Sequence, residues 1–130
     1  YDLFYRLGLI IMAYNHNSIV LAKRKFGLHL SYVIRHLTAK DITQRELAQL
    51  AKVSQPVISS IKNDHSERLS LPIMMKVADA IRLKYQITFN SVKGRCSVTV
   101  HVESALDYVA NTSLKRTAKN IRFVTNSATH

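Results

Sequence analysis

The chain has 130 residues, 47% of them hydrophobic, enough for one domain with a core and too few for two. Lys and Arg outnumber Asp and Glu by 19 to 8, which gives a net charge of +11 and a pI near 10.1. The hydrophobic content argues against a disordered tail, and the charge points to a polyanionic partner, nucleic acid ahead of an acidic membrane.

The chain divides into four parts. Residues 1–27 form an apolar and then basic amino-terminal arm, from "LFYRLGLIIMAY" to "AKRKFG". The apolar run is too short to span a bilayer and Arg6 interrupts it. The Tyr1–Asp2 leader lacks the basic residues of a signal peptide, and Met12 is a second candidate for the start. The arm is expected to bury itself against a partner subunit.

Residues 28–84 read as a compact helical unit. In "LHLSYVIRHL", Leu30, Val33, Ile34 and Leu37 recur at helical spacing. Thr43 followed by Glu46 is a capping box, and Leu47, Leu50 and Ala51 continue the helix it starts. "KVS" breaks the pattern. Ser54 is then the N-cap of a helix with Pro56 in its first turn and Ile58 and Ile61 on its buried stripe. After the polar loop "NDHSER", Ser70 caps a last helix lined by Met74, Val77, Ala78 and Ile81.

Residues 85–102 alternate. Tyr85, Ile87 and Phe89 form one apolar set, and Cys96, Val98, Val100 and Val102 another, with Gly94 between them to supply a positive φ. This is a β-hairpin. A lone hairpin is marginal in water, so its apolar face needs cover. A second subunit is the preferred cover and the chain's own helices the alternative. Residues 103–130 read as a helical or irregular tail. The fold class expected is mostly α: a compact bundle of four to five helices with an appended β-hairpin.

Within residues 44–63 the spacing fits two short helices crossing at a steep angle. Leu47, Ala48 and Ala51 lie on the first helix, Val53 in the turn, and Ile58 and Ile61 on the second. Ala48 must be small, because a larger side chain would hold the helices apart. The second helix would expose Gln55, Pro56, Ser59, Ser60 and Asn63.

"TQRELAQLAKVSQPVISSIKN", followed by "LSLPIMMKVADAI", resembles the helix-turn-helix of the lambdoid phage repressor and Cro proteins and of the wider Xre-type regulators. The resemblance covers roughly residues 30–83. It implies a sequence-specific regulator of transcription, most often a repressor. Such a protein is bacterial or phage-encoded, works in the cytoplasm at the nucleoid, and binds double-stranded DNA as a homodimer on a near-palindromic operator.

The resemblance also implies roles by position. Gln44 and Ser54 would contact phosphate, as would the amides that begin the second helix. Gln55, Ser59 and Ser60 would face base edges, where a glutamine can pair with adenine. Pro56 would pack on a thymine methyl. Lys62 and Asn63 would contact the backbone at the helix end. Lys52 departs from the pattern, since members commonly carry Gly at that turn.

The charge is unevenly placed. Residues 1–40 carry a net +5, residues 41–70 zero, residues 71–102 +4 and residues 103–130 +2. The reading unit is neutral and its flanks are basic, so affinity and sequence information are divided between them. Arg35, Arg24 and Arg68 are phosphate-contacting candidates, with Lys23 and Lys25 beside them. Lys115, Arg116, Lys119 and Arg122 are either a second DNA contact or a soluble tail.

The alternative to a repressor is an antitoxin of the same Xre type, with a toxin as protein partner and its own operon as target. An enzyme is not expected. Ser54, Ser59 and Ser60 have no His–Asp pair within the motif, and Asp41, Glu46, Asp64 and Glu67 read as caps and solvated charges. Six histidines keep no ligand spacing, and three glycines leave no phosphate-cradling loop, so neither metal nor cofactor is expected. The single cysteine, Cys96, allows no internal disulfide and fits a reducing compartment. Membrane binding lacks a basic amphipathic helix with bulky aromatics.

Overall fold

A computed structural model describes residues 16–117 and 121–125. The first element, α1 (His16–Thr38), is one unbroken helix of 23 residues. Its buried side chains, Ala22, Phe26, Leu30, Val33, Ile34 and Leu37, keep helical spacing along the whole length. The boundary expected at 27/28 therefore falls inside a helix. Gly27, the last residue of the expected arm, marks a close approach. A Cβ there would lie 2.0 Å from Ser66 Oγ, so only a bare Cα lets α1 pass the turn that contains Ser66. The arm's residues 1–15 lie outside the described residues.

Three short helices follow. Helix α2 (Gln44–Ala51) starts at the expected capping box: Glu46 N donates to Thr43 Oγ1 at 3.0 Å, and Thr43 N donates to Glu46 Oε1 at 3.0 Å. Helix α3 (Gln55–Lys62) starts after Ser54, which holds the N-cap backbone conformation, and buries Ile58 and Ile61. A 3-10 turn (Ser66–Arg68) leads to α4 (Leu71–Ala80), where the Ser70 hydroxyl accepts from Ile73 N at 3.4 Å. Asp41 and Asp64 sit in the turns between helices at φ of 64° and 58°, a conformation that aspartate tolerates better than most residues.

Strands β1 (Tyr85–Val92) and β2 (Arg95–Val102) form the expected antiparallel hairpin, pairing Phe89 with Val98 and Ile87 with Val100. Its turn has Lys93 at φ 52° and Gly94 at φ 77°, the two positive values that a two-residue hairpin turn requires. The chain's own α1 covers the apolar face, where a second subunit had been preferred. Val98 and Val100 are buried, the Phe26 and Tyr85 rings lie 5.0 Å apart, and Ser18 Oγ donates to Val98 O at 2.9 Å. α1 reaches this face because it extends a further three turns before residue 28.

The tail is more ordered than the expected helical or irregular segment. Helix α5 (Ala105–Asn111) is capped by Ser104 and buries Tyr108, whose hydroxyl donates to Ile81 O at 2.7 Å. Strands β3 (Thr112–Arg116) and β4 (Ile121–Thr125) then form a second antiparallel hairpin, with Leu114 opposite a buried Phe123. Alternation over "TSLKR" and "IRFVT" carries that signal, but each run is only five residues long. The fold is mostly α, as expected, with two hairpins instead of one. Among the described residues, no helix is long and apolar enough to cross a membrane.

Candidate nucleic-acid interface

The turn between α2 and α3 sets the geometry. Lys52 adopts the left-handed conformation, φ 57° and ψ 45°, in which glycine is usual. The turn is wound as the resemblance implies, without the glycine. A non-glycine residue costs on the order of 1 kcal/mol there. Two contacts hold the turn in place. Val53 N donates to Ala48 O at 3.0 Å, and Lys76 Nζ, from α4, donates to Lys52 O at 3.2 Å. Ala48 is buried at the crossing, where its small side chain was expected.

Opposite Ile58 and Ile61, helix α3 presents one polar face. Gln55, Pro56 and Asn63 are exposed, and Ser59 and Ser60 half-buried. Their positions in the helix place all five on a single side. Ser54 has the backbone of an N-cap, but its hydroxyl makes no cap hydrogen bond. It remains exposed at the helix start, beside a Pro56 that has no N–H. At the other end, Asn63 Nδ2 donates to Ser59 Oγ at 3.4 Å, which ties one expected base-reading residue to an expected backbone-contacting one.

The C-terminus of α3 is fixed by α1. Ser31 Oγ and Arg35 Nε both donate to Lys62 O, at 3.0 and 2.9 Å. Arg35 therefore has a structural task beyond the one expected for it, and its cation sits favourably at a helix C-terminus. Arg24 is seven residues earlier than Ser31, on the same line of α1, and exposed. Lys23 lies beside it, with its Nζ donating to Glu67 O at 3.1 Å. Arg68 is exposed on the 3-10 turn, distant in sequence from this line.

Gln44 and Lys62 come together. With Thr38, Asp41, Ile42 and Thr43 they line one shallow groove between the start of α2 and the end of α3. At its rim lies a contact that sequence reasoning did not find. Arg116 Nη1 donates to Glu46 Oε2 at 2.6 Å, and Nη2 donates to Asp41 O at 3.1 Å. The Arg116 hydrogen bond, followed by that from the Thr43 backbone, holds the Glu46 carboxyl below the usual carboxylate range. No local pattern links residues 70 positions apart, so nothing in the sequence pairs them. Arg45, exposed in the first turn of α2, is another cation that the sequence reading passed over.

Comparison with known proteins agrees with this geometry. A family model described as a helix-turn-helix domain matches residues 22–90, just over half of the chain. Its start at residue 22 falls within α1, ahead of the boundary expected from sequence, and its end falls in β1. Neither the proteins of curated function nor the solved structures gave a match. With the left-handed turn at Lys52 and the small Ala48 at the crossing, the family match leads to one conclusion: the chain belongs to the helix-turn-helix domain family.

Proposed function

We propose that the protein is a sequence-specific DNA-binding regulator of transcription, acting as a dimeric repressor, with α3 in the major groove. The observation that carries this reading is the division of labour around α3. Its outward face is uncharged, with Gln55, Pro56, Ser59 and Ser60 as the base-reading residues. Cations and helix ends surround it. Gln44 and Lys62 share a groove, Arg35 holds the α3 terminus, Arg24 lies on the same line of α1, Asn63 and Ser54 are exposed at the two ends of α3, and Arg68 is exposed on the 3-10 turn. Phosphate contacts from these residues supply affinity, and the neutral face supplies selection.

A dimer doubles a half-site that a short helix reads only in part. The expected spacing is about 34 Å between half-sites, one turn of DNA. Leu21, Leu28 and Tyr32 are exposed along one line of α1, at 61, 38 and 51%. This exposed line favours a protein contact, with a second copy in the dimer reading or a toxin in the antitoxin reading as its cover.

The test is selection from random double-stranded DNA, followed by footprinting and sizing of the complex. A near-palindromic protected site bound by two chains, with strong salt dependence, is the expected result. No preferred sequence, or binding indifferent to salt, would overturn the reading. A stable complex with the product of an adjacent gene, formed through α1, would favour the antitoxin.

A further inference from the structure

We infer that the second hairpin, β3–β4, is an additional phosphate-contacting element of the same interface, set in place by Arg116. The inference rests on the DNA-binding reading above and extends it to a part of the chain beyond the family match, which ends at residue 90.

Position is the first argument. Arg116 fastens the end of β3 to Glu46 and to the Asp41 carbonyl, at the start of α2. Asp41 also lines the groove that holds Gln44 and Lys62. The hairpin is thus anchored at the rim of the groove assigned to phosphate. Arg116 also pairs the one acid of the α2 capping box, which would otherwise stand uncompensated beside a polyanion.

The second argument is the pairing of the strands. Alternation puts Leu114 and Arg116 of β3, with Ile121 and Phe123 of β4, on the face turned to the body of the protein. The other face carries Lys115 directly opposite Arg122, both exposed. Like charges directly opposite each other destabilise an antiparallel pair. Among the described residues, neither cation forms an ion pair. A phosphate oxygen between them would turn this repulsion into two charge-assisted hydrogen bonds.

Reach is the third. Lys115 precedes Arg116 by a single peptide unit, about 3.8 Å between Cα atoms, with its side chain on the opposite face of β3. The cationic pair therefore stands on the outer face of the hairpin, one residue from the anchor at the groove, and would meet the backbone just outside the segment that α2 and α3 contact. Arg116 acts here as a positioning residue, through the hairpin and not through the DNA.

The experiment uses the full chain and its selected site, carried in a duplex with additional flanking base pairs. Hydroxyl-radical footprints and the slope of log affinity against log salt are measured for the natural chain and four variants. For Lys115→Ala with Arg122→Ala, protection of the flanking backbone should disappear, and the slope should weaken by about 2. The order of preferred sequences should not change. Arg116→Ala should lose the same flanking protection although both contacting cations remain, and Arg116→Lys should restore it in part. Lys93→Ala with Arg95→Ala removes equal charge from the first hairpin and should leave slope and footprint as in the natural chain.

Unchanged flanks and slope in the Lys115/Arg122 variant, with the central footprint intact, would overturn this inference alone. An equal loss in the Lys93/Arg95 variant would also overturn it, by reducing the effect to net charge. A natural chain that protects no sequence would overturn the DNA-binding reading, and this inference with it.

Discussion

Gly27 and Ser66 meet so closely that a Cβ added to the glycine would lie 2.0 Å from the serine hydroxyl oxygen and 3.1 Å from its Cβ. Ser66 is buried, so neither partner can swing into solvent. Helix propensity alone says that Gly27→Ala should stabilise a helix interior by about 1 kcal/mol. The clash reverses the sign. Gly27→Ala should lower stability by about 1–3 kcal/mol, the range for overpacking a tight site. Adding Ser66→Ala should recover part of the loss, because the nearer of the two atoms is gone. Urea unfolding of the two single variants and the double one measures the coupling. A stabilised Gly27→Ala would refute the contact.

Lys52 gives the opposite case, where glycine is absent and would help. At φ 57° the lysine backbone is strained, and its structural contacts run through backbone atoms alone: its N–H donates to Gln49 O at 3.3 Å and its carbonyl accepts from Lys76. Lys52→Gly keeps that carbonyl and removes the strain. It should raise stability by up to about 1 kcal/mol, less the entropy that glycine adds to the unfolded chain. Lys52→Ala keeps the Cβ and should change little. Denaturant midpoints for the pair decide the matter, and equal effects of Gly and Ala would mean that the turn is not left-handed.

These two positions show what was legible in the sequence. The Thr43–Glu46 box, the Ser54 and Ser70 caps and the Ile58/Ile61 stripe depend on residues a few positions apart, and all appear where local spacing put them. The first hairpin was legible too, because eight-residue strands and a glycine turn repeat the signal many times. Contacts that depend on distant partners were not. Gly27 reads only as the end of the arm, because its reason lies at Ser66. Arg116 reads as either a second DNA contact or part of a soluble tail, because its partner lies at Glu46. The hairpin's cover was assigned to a second chain because α1 was read as starting too late to supply it.

Sequence selection and affinity should separate by residue. Gln55→Ala removes a side chain able to pair with one base and should cost about 1–3 kcal/mol on the preferred sequence and little on others. Arg24→Ala removes a charge without a base partner. It should weaken all DNA alike and reduce the salt slope by about 1. Arg35→Ala should do more than Arg24→Ala, because it also frees Lys62 O at the end of α3, leaving Ser31 as the donor there. Binding titrations on preferred and scrambled duplexes at several salt concentrations compare the three. Identical profiles for Gln55→Ala and Arg24→Ala would refute the division of labour around α3.

Acid should loosen the protein through His36. Burial, and then the neighbouring Lys40 charge, lower its pKa below the ordinary imidazole value. The folded chain therefore holds His36 neutral at a pH where the unfolded chain begins to bind a proton. Stability from this group is full above the ordinary value, about 6.5, and is lost as pH falls through it towards the lowered folded value. Because His36 is only partly buried, solvent screens much of the effect. His36→Gln, which cannot titrate, should remove this contribution and flatten the dependence of stability on pH just below neutrality. Urea midpoints from pH 7.5 to 5.5 for the natural chain and the variant provide the comparison. Parallel curves would show that folding leaves this histidine's proton affinity unchanged.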